Sequence, residues 1–174
     1  MPPPHPLCLA VQGGHAEIVE FLLDEKGCDV DMYDPQGLSL LELAVVHGHG
    51  QIVEDLLRRG ASQLGGPRWV GAPVVVGCPI QLAVSLGRMD IVRLLWEYGS
   101  FLLWLRGWEL EVALECAIAT RNMEAIHTLI GYGVSVHRRF TQRNSITPLE
   151  WAVEMGDVEF VELFLSAGAR PLYP

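Results

Sequence analysis

Apolar residues recur along this chain in paired clusters, each spaced for one face of a helix. Five stretches align: Pro6-Leu7-Cys8-Leu9-Ala10, Leu40-Leu41-Glu42-Leu43-Ala44, Pro79-Ile80-Gln81-Leu82-Ala83, Ala113-Leu114-Glu115-Cys116-Ala117 and Pro148-Leu149-Glu150-Trp151-Ala152. Their first residues lie 34, 39, 34 and 35 positions apart. Each is followed, eight or nine residues on, by a second cluster. These are Ile18-Val19 with Phe21-Leu22-Leu23, Ile52-Val53 with Leu56-Leu57, Ile91-Val92 with Leu94-Leu95, Ala125-Ile126 with Leu129-Ile130, and Phe160-Val161 with Leu163-Phe164-Leu165. Apolar positions at i, i+3 and i+4 in both halves predict two short amphipathic helices per unit. Helices of about nine residues fall below the roughly 12–15 at which isolated helices hold in water. Neighbouring units must therefore cover one another's apolar sides. The small residues Ala10, Ala44, Ala83, Ala117 and Ala152 recur at one site, where helices must approach closely.

Thr147-Pro148-Leu149-Glu150-Trp151-Ala152, followed by Gly156-Asp157-Val158-Glu159, resembles the ankyrin repeat, a family with a period of about 33 residues. The family's Gly-His turn between helices is matched by Gly14-His15 and Gly48-His49, then by Gly87-Arg88 and Gly156-Asp157. The fourth unit departs from it, with Arg121-Asn122. The glycine expected to end each second helix is Gly27, Gly60, Gly99, Gly133 (or Gly131) and Gly168. The resemblance runs from about residue 5 to 170. It implies an all-α ankyrin-repeat solenoid of about five stacked helix–loop–helix units, slightly curved, with a short hairpin at the first tip at most. The repeats fall at about 5–37, 38–77, 78–111, 112–146 and 147–170, within a single domain over 1–174. The function it implies is non-catalytic: a scaffold or adaptor holding a protein or peptide.

Composition narrows the partner. Acidic residues outnumber basic ones, 21 to 12, for a formal net charge of −9. That field opposes nucleic acid binding. Of the basic residues only Lys26 is lysine, and arginine suits protein contacts better than diffuse electrostatics. Cys8, Cys28, Cys78 and Cys116 are widely separated, with no C-x-x-C, which argues for a reduced, intracellular protein without disulfides or zinc. The start, Met-Pro-Pro-Pro-His-Pro, shows no secretory signal. Nineteen residues between Arg68 and Arg88 lack charge, but Gly71, Pro73, Gly77 and Pro79 break any spanning helix, so no membrane segment is expected.

Three units carry Glu where the family has His: Glu42, Glu115 and Glu150. A row of carboxylates invites an acid/base or metal reading. Ser39-x-x-Glu42 and Thr147-x-x-Glu150 have capping-box spacing, which gives these carboxylates a structural role. Cys78-x-x-Gln81 and Val112-x-x-Glu115 keep only the second partner. His47 and His49 are two apart, not the i, i+4 spacing of a helical metal pair, and His49 sits where the family has a structural His. No catalytic, cofactor or metal residue is assigned. A metal-dependent enzyme is the remote alternative.

The resemblance places partner contacts on the loop tips and on the exposed face of the first helices. On this chain the candidates are Met32 and Tyr33 at the first tip, Trp69 at the second, and Trp104 and Trp108 at the third. Arg138, Arg139, Phe140 and Arg143 form the only basic cluster, suited to an acidic partner, and His47, Leu86 and Met155 lie along the helix face. Trp104 and Trp108 lie four apart, so partner contact and a helical packing turn both remain open. The last helix is apolar on several sides, and the first unit has His5-Pro6 where a Ser or Thr cap would stand. These ends point to self-association through an end, or to a repeat segment of a larger multidomain protein packing on its other domains.

Overall fold

The computed structural model describes residues 4–64, 78–105, 107–140 and 145–170, with backbone alone over 100–105 and 107–109. Among these residues the chain is helical, with one isolated antiparallel bridge between Tyr33 and Ser39 that makes the short hairpin of the first tip. It divides into two compact units, Met1–Leu105 and Arg106–Pro174.

The first unit holds three helix pairs: α1 (Pro6–Gln12) with α2 (Ala16–Asp24), α3 (Leu40–His47) with α4 (Gly50–Arg58), and α5 (Pro79–Ser85) with α6 (Met89–Leu105). The first helices α1, α3 and α5 pack side by side in one layer, and α2, α4 and α6 in a second. Leu7, Val11, Leu40, Val45, Ile52, Leu56, Ile91 and Leu95 close the space between the layers. Arg59 ties α4 to α2 through Asp24, and Arg58 donates to Tyr98 Oη on α6 at 3.1 Å. The second unit holds α7 (Gly107–Ala119) with α8 (Met123–Gly131) and α9 (Pro148–Glu154) with α10 (Val158–Ser166). Its core includes Leu114, Ile118, Ile126, Trp151, Phe160 and Phe164. Ala10, Ala44, Ala83, Ala117 and Ala152 are all buried, as close helix approach requires.

Both capping boxes form, with the same geometry. Ser39 N–H donates to Glu42 Oε2 at 2.7 Å and Glu42 N–H to Ser39 Oγ at 3.2 Å. Thr147 N–H donates to Glu150 Oε2 at 2.7 Å and Glu150 N–H to Thr147 Oγ1 at 3.2 Å. The first helix is capped by an imidazole, since His5 Nδ1 accepts from Leu7 N–H at 3.2 Å. Pro6, Pro79 and Pro148 start their helices, where a missing N–H costs nothing. Gly27, Gly60, Gly133 and Gly168 take positive φ beyond their second helices.

Three expectations need correcting. Gly99 does not end the third unit's second helix, because α6 runs 17 residues to Leu105. One internal glycine costs a helix only about 1 kcal/mol, and the following Ser-Phe-Leu-Leu-Trp-Leu holds no proline or further glycine. The Gln63 amide packs where a Gly99 side chain would stand, donating to Leu95 O at 3.2 Å and accepting from Gly99 N–H at 3.2 Å. Next, α7 begins at Gly107, so Val112 lies inside a helix and Glu115 is a buried interior residue, not a capping partner. The third tip is accordingly helical backbone on both sides of residue 106. Finally, Gly131 is helical and the turn belongs to Gly133.

Candidate interaction surface

Counting from Pro6, Leu40, Pro79, Ala113 and Pro148, the seventh residue onward is Gly13, His47, Leu86, Thr120 and Met155. Each is exposed. A site open in every repeat faces neither the preceding nor the following repeat, so its side chain is free to vary. In the first unit that row presents a histidine and an apolar side chain, Leu86, which is 49% exposed. The His47 ring is held parallel to that of His49, with centroids 6.1 Å apart and planes at 8°. In the second unit Thr120 turns its hydroxyl back to the Cys116 carbonyl at 2.9 Å, leaving Met155 as the apolar member.

In the second and third repeats the residue before the second helix locks the repeat to its predecessor, a role the sequence reading recognised only for His49. His49 Nε2–H donates to the Gln12 carbonyl at 3.0 Å, and Arg88 Nη2–H to the Val46 carbonyl at 3.1 Å. Gln12 and Val46 occupy the same place in successive repeats, so an imidazole and a guanidinium do one job. Asn122 and Asp157 instead cap their own helices, accepting from Ala125 N–H at 3.0 Å and Phe160 N–H at 3.4 Å. The left-handed position before them is filled by glycine in four repeats and by Arg121, at φ 54°, in the fourth. Arg121 donates to Asp157 Oδ2 at 2.5 Å and lies over the Phe160 ring, contacts a glycine cannot make. The available signal was a long donor following glycine at a fixed place in the period.

At the first tip Asp34 is buried and its Oδ1 accepts from Gln36 N–H at 2.9 Å and Leu38 N–H at 2.8 Å, which turns the chain and leaves Tyr33 exposed. Met32 is half-buried beside it. The tip is tied to the next repeat by Ser62 N–H donating to Asp31 Oδ1 at 2.7 Å. In the second unit Arg138 pairs with Glu111 at 2.6 Å. Arg139 donates to the Ser145 carbonyl at 2.5 Å and lies 3.7 Å from Glu150. Both guanidinium groups remain largely exposed, with part of their charge already matched. Phe140 corrects the expectation of a contact residue: it is 4% exposed and packs edge-on against Trp151, ring centroids 5.7 Å apart. An apolar ring gains more from burial against Trp151 than from display at a tip. Trp69 and Arg143 lie outside the described residues, as do the side chains of Trp104 and Trp108.

Of the three carboxylates that looked reactive, Glu42 and Glu150 serve the backbone. The Thr147 amide that Glu150 accepts from holds its pKa below the ordinary value, helped by the Thr147 hydroxyl and Arg139. Among the described residues no three His, Cys, Asp or Glu side chains are grouped to hold a metal ion. All four cysteines are free thiols. Burial raises the pKa of Cys8, helped by Asp34, and that of Cys116, helped by Glu115, which lowers their nucleophilicity near neutral pH. No helix among the described residues is long and apolar enough to cross a membrane.

Helix pairs recurring in register, with one exposed position per repeat, define a class of stacked helical repeat proteins. The chain belongs to the ankyrin-repeat family: the family models for ankyrin repeats match residues 3–64 and 114–165. It is 25% identical over 166 residues to the human transient receptor potential cation channel subfamily A member 1, covering 95% of this chain and 12% of the channel. An ankyrin repeat protein of fowlpox virus is 28% identical over 161 residues, 92% of this chain and 35% of the viral protein. Human ankyrin repeat and SOCS box protein 11 is 32% identical over 111 residues, 64% of this chain and 32% of that protein. The chain thus spans about a third or less of these relatives. The crystal structure of the ankyrin repeat domain of Bcl-3, a member of the IkappaB protein family, matches with a TM-score of 0.75 at 24% identity, over 95% of this chain and 72% of that one. Ankyrin repeats are in general protein–protein interaction modules, and their fold is typically non-catalytic.

Proposed function

We propose that this chain is a non-catalytic scaffold that binds a protein or peptide through the open first-helix position and the loop tips. The observation that carries this reading is the row Gly13, His47 and Leu86, exposed in each repeat of the first unit, with Tyr33 exposed at the first tip. Inter-repeat locking holds that surface rigid, and a rigid surface loses little entropy on binding. In the second unit Met155 and the exposed Arg138 and Arg139 offer further contacts, the arginines suited to acidic residues on the partner. A net charge of −9 supports protein over nucleic acid, and four free thiols fit a reducing, intracellular setting.

The test is affinity capture with the full chain, followed by affinity measurement for the captured protein. Leu86→Asp is expected to lower that affinity at least tenfold with an unchanged circular dichroism spectrum. For the basic tip, Arg138→Glu combined with Glu111→Arg keeps the local pair while moving its charges. Weaker binding and a flatter salt dependence are expected. Wild-type affinity in both variants would remove these surfaces from the account. A second reading, a repeat segment that packs against other domains of a longer polypeptide, is favoured by the 12% and 35% coverage of the longer relatives.

A further inference from the structure

The two helix layers of the first unit do not close equally. α1 packs on α3 as extensively as α3 packs on α5, whereas α2 meets α4 much less than α4 meets α6. Between α2 and α4 this leaves a groove with a cavity of about 210 Å³. Ala16 and Val19 from α2 and Ile52 from α4 give it an apolar side, and Glu20, Glu54 and Asp55 give it an acidic rim. Ala16, Val19 and Glu20 follow the i, i+3, i+4 spacing of one helix stripe, so they share a wall. Both walls are internal to the array, between the first and second repeats.

Charge across this groove differs from that between α4 and α6. On the period of the repeat, Glu20 corresponds to Glu54, and Glu54 to Arg93. The later helix pair therefore sets a carboxylate and a guanidinium at the positions where the groove sets two carboxylates. Glu54 and Asp55 are matched along their own helix, by Arg58 at 2.5 Å and Arg59 at 2.9 Å. Glu20 is exposed and makes no hydrogen bond or ion pair among the described residues. Arg58, the one cation lining the groove, is engaged by Glu54 and by Tyr98 Oη of α6 at 3.1 Å. Three carboxylates against one engaged cation leave a negative field, which a cleft with apolar walls focuses.

We infer that this groove seats an arginine side chain from a basic segment of a protein partner. The aliphatic stem lies along Ala16, Val19 and Ile52, and the guanidinium forks onto the Glu20 carboxylate, where Glu54 adds to the field. The cavity suits one long side chain, being smaller than the roughly 300–1,000 Å³ of small-molecule sites. Arginine fits better than lysine, because its planar fork meets a carboxylate at two points and is more weakly hydrated. The chain already makes such a contact between these helices: Arg59 of α4 reaches Asp24, one turn beyond Glu20 on α2. The groove lies in the second-helix layer, apart from the first-helix row of the proposed function, so either surface can fail alone.

The test is NMR of the methyl-labelled full chain titrated with a short blocked peptide carrying one arginine among alanines. The peptide is taken to roughly 10 mM, about tenfold above a millimolar dissociation constant. Saturable shifts are expected at the Val19 and Ile52 methyls, and none with the peptide that carries citrulline, the uncharged isostere. A lysine peptide is expected to bind more weakly, and equal affinity would overturn the choice of arginine. Glu20→Gln is expected to weaken binding at least about fivefold. Glu17→Gln, an equal loss of charge on α2 outside the groove, is expected to change it less than about twofold. Glu20→Arg, which supplies the opposite charge from within, is expected to abolish the shifts. Equal losses from Glu17→Gln and Glu20→Gln, or shifts spread over the acidic surface without saturation, would mean diffuse attraction and overturn the inference. Silent Val19 and Ile52 methyls at the highest loading overturn it as well.

Discussion

At Gly48 two requirements meet in one backbone position. Its φ of +76° is strained for a side chain, and a Cβ there would run into the Arg88 guanidinium. Gly14 repeats the arrangement, with a Cβ 2.7 Å from His49 Cε1. Gly156 has a φ of +67° and nothing within 4 Å. Gly156→Ala should therefore cost about 1 kcal/mol from backbone strain alone. Gly48→Ala should cost about 2–3 kcal/mol, because it also displaces Arg88 from the Val46 carbonyl. Urea unfolding compares the two, and equal losses would show that the Arg88 lock adds nothing. The same frame explains Arg121, where a residue in the glycine's conformation is offset by its ion pair to Asp157 and its contact with Phe160.

Helix ends and helix interiors give two further expectations. Thr147→Ala removes the capping hydroxyl of α9 and should cost about 1 kcal/mol. Glu150 has a folded pKa below its unfolded one, so its contribution is complete above the unfolded value and is lost as pH falls through the folded one. Glu150→Gln keeps an acceptor for the Thr147 amide and removes the titration. Below about pH 5 the wild type should lose more stability than this variant, read as the shift in urea midpoint. Parallel losses would assign the acid sensitivity elsewhere. In α6, Gly99→Ala should gain little in the wild type, because the new methyl displaces the Gln63 amide. In a Gln63→Ala background the same change should stabilise by about 1 kcal/mol, the ordinary helix preference for alanine. Additive effects of the two changes would dismiss the coupling.

Thiol chemistry reads out the packing of the first unit. Cys8 and Cys78 are buried, and no cysteine is paired. In native protein those two should resist a thiol reagent, and all four should react once urea unfolds the chain. A reductant should leave the unfolding midpoint unchanged. Native reaction at Cys8 as fast as at Cys28 would show that α1 opens from the stack.

The period of the repeat, the paired helices, the two capping boxes and the first-tip turn were legible in the amino-acid order. Each depends on residues within a few positions of one another: Ser39 with Glu42, Thr147 with Glu150, Asp34 with Leu38. Apolar spacing read along one strand of text is enough for such short-range interactions. Other features waited for the folded chain. The Gln63 amide that packs on Gly99 comes from another repeat, and the burial of Phe140 depends on a ring brought up by α9. The locks at His49, Arg88 and Arg121 join residues 37, 42 and 36 positions apart. Long-range packing selects among local options that cost nearly the same, and sequence spacing carries no measure of that choice.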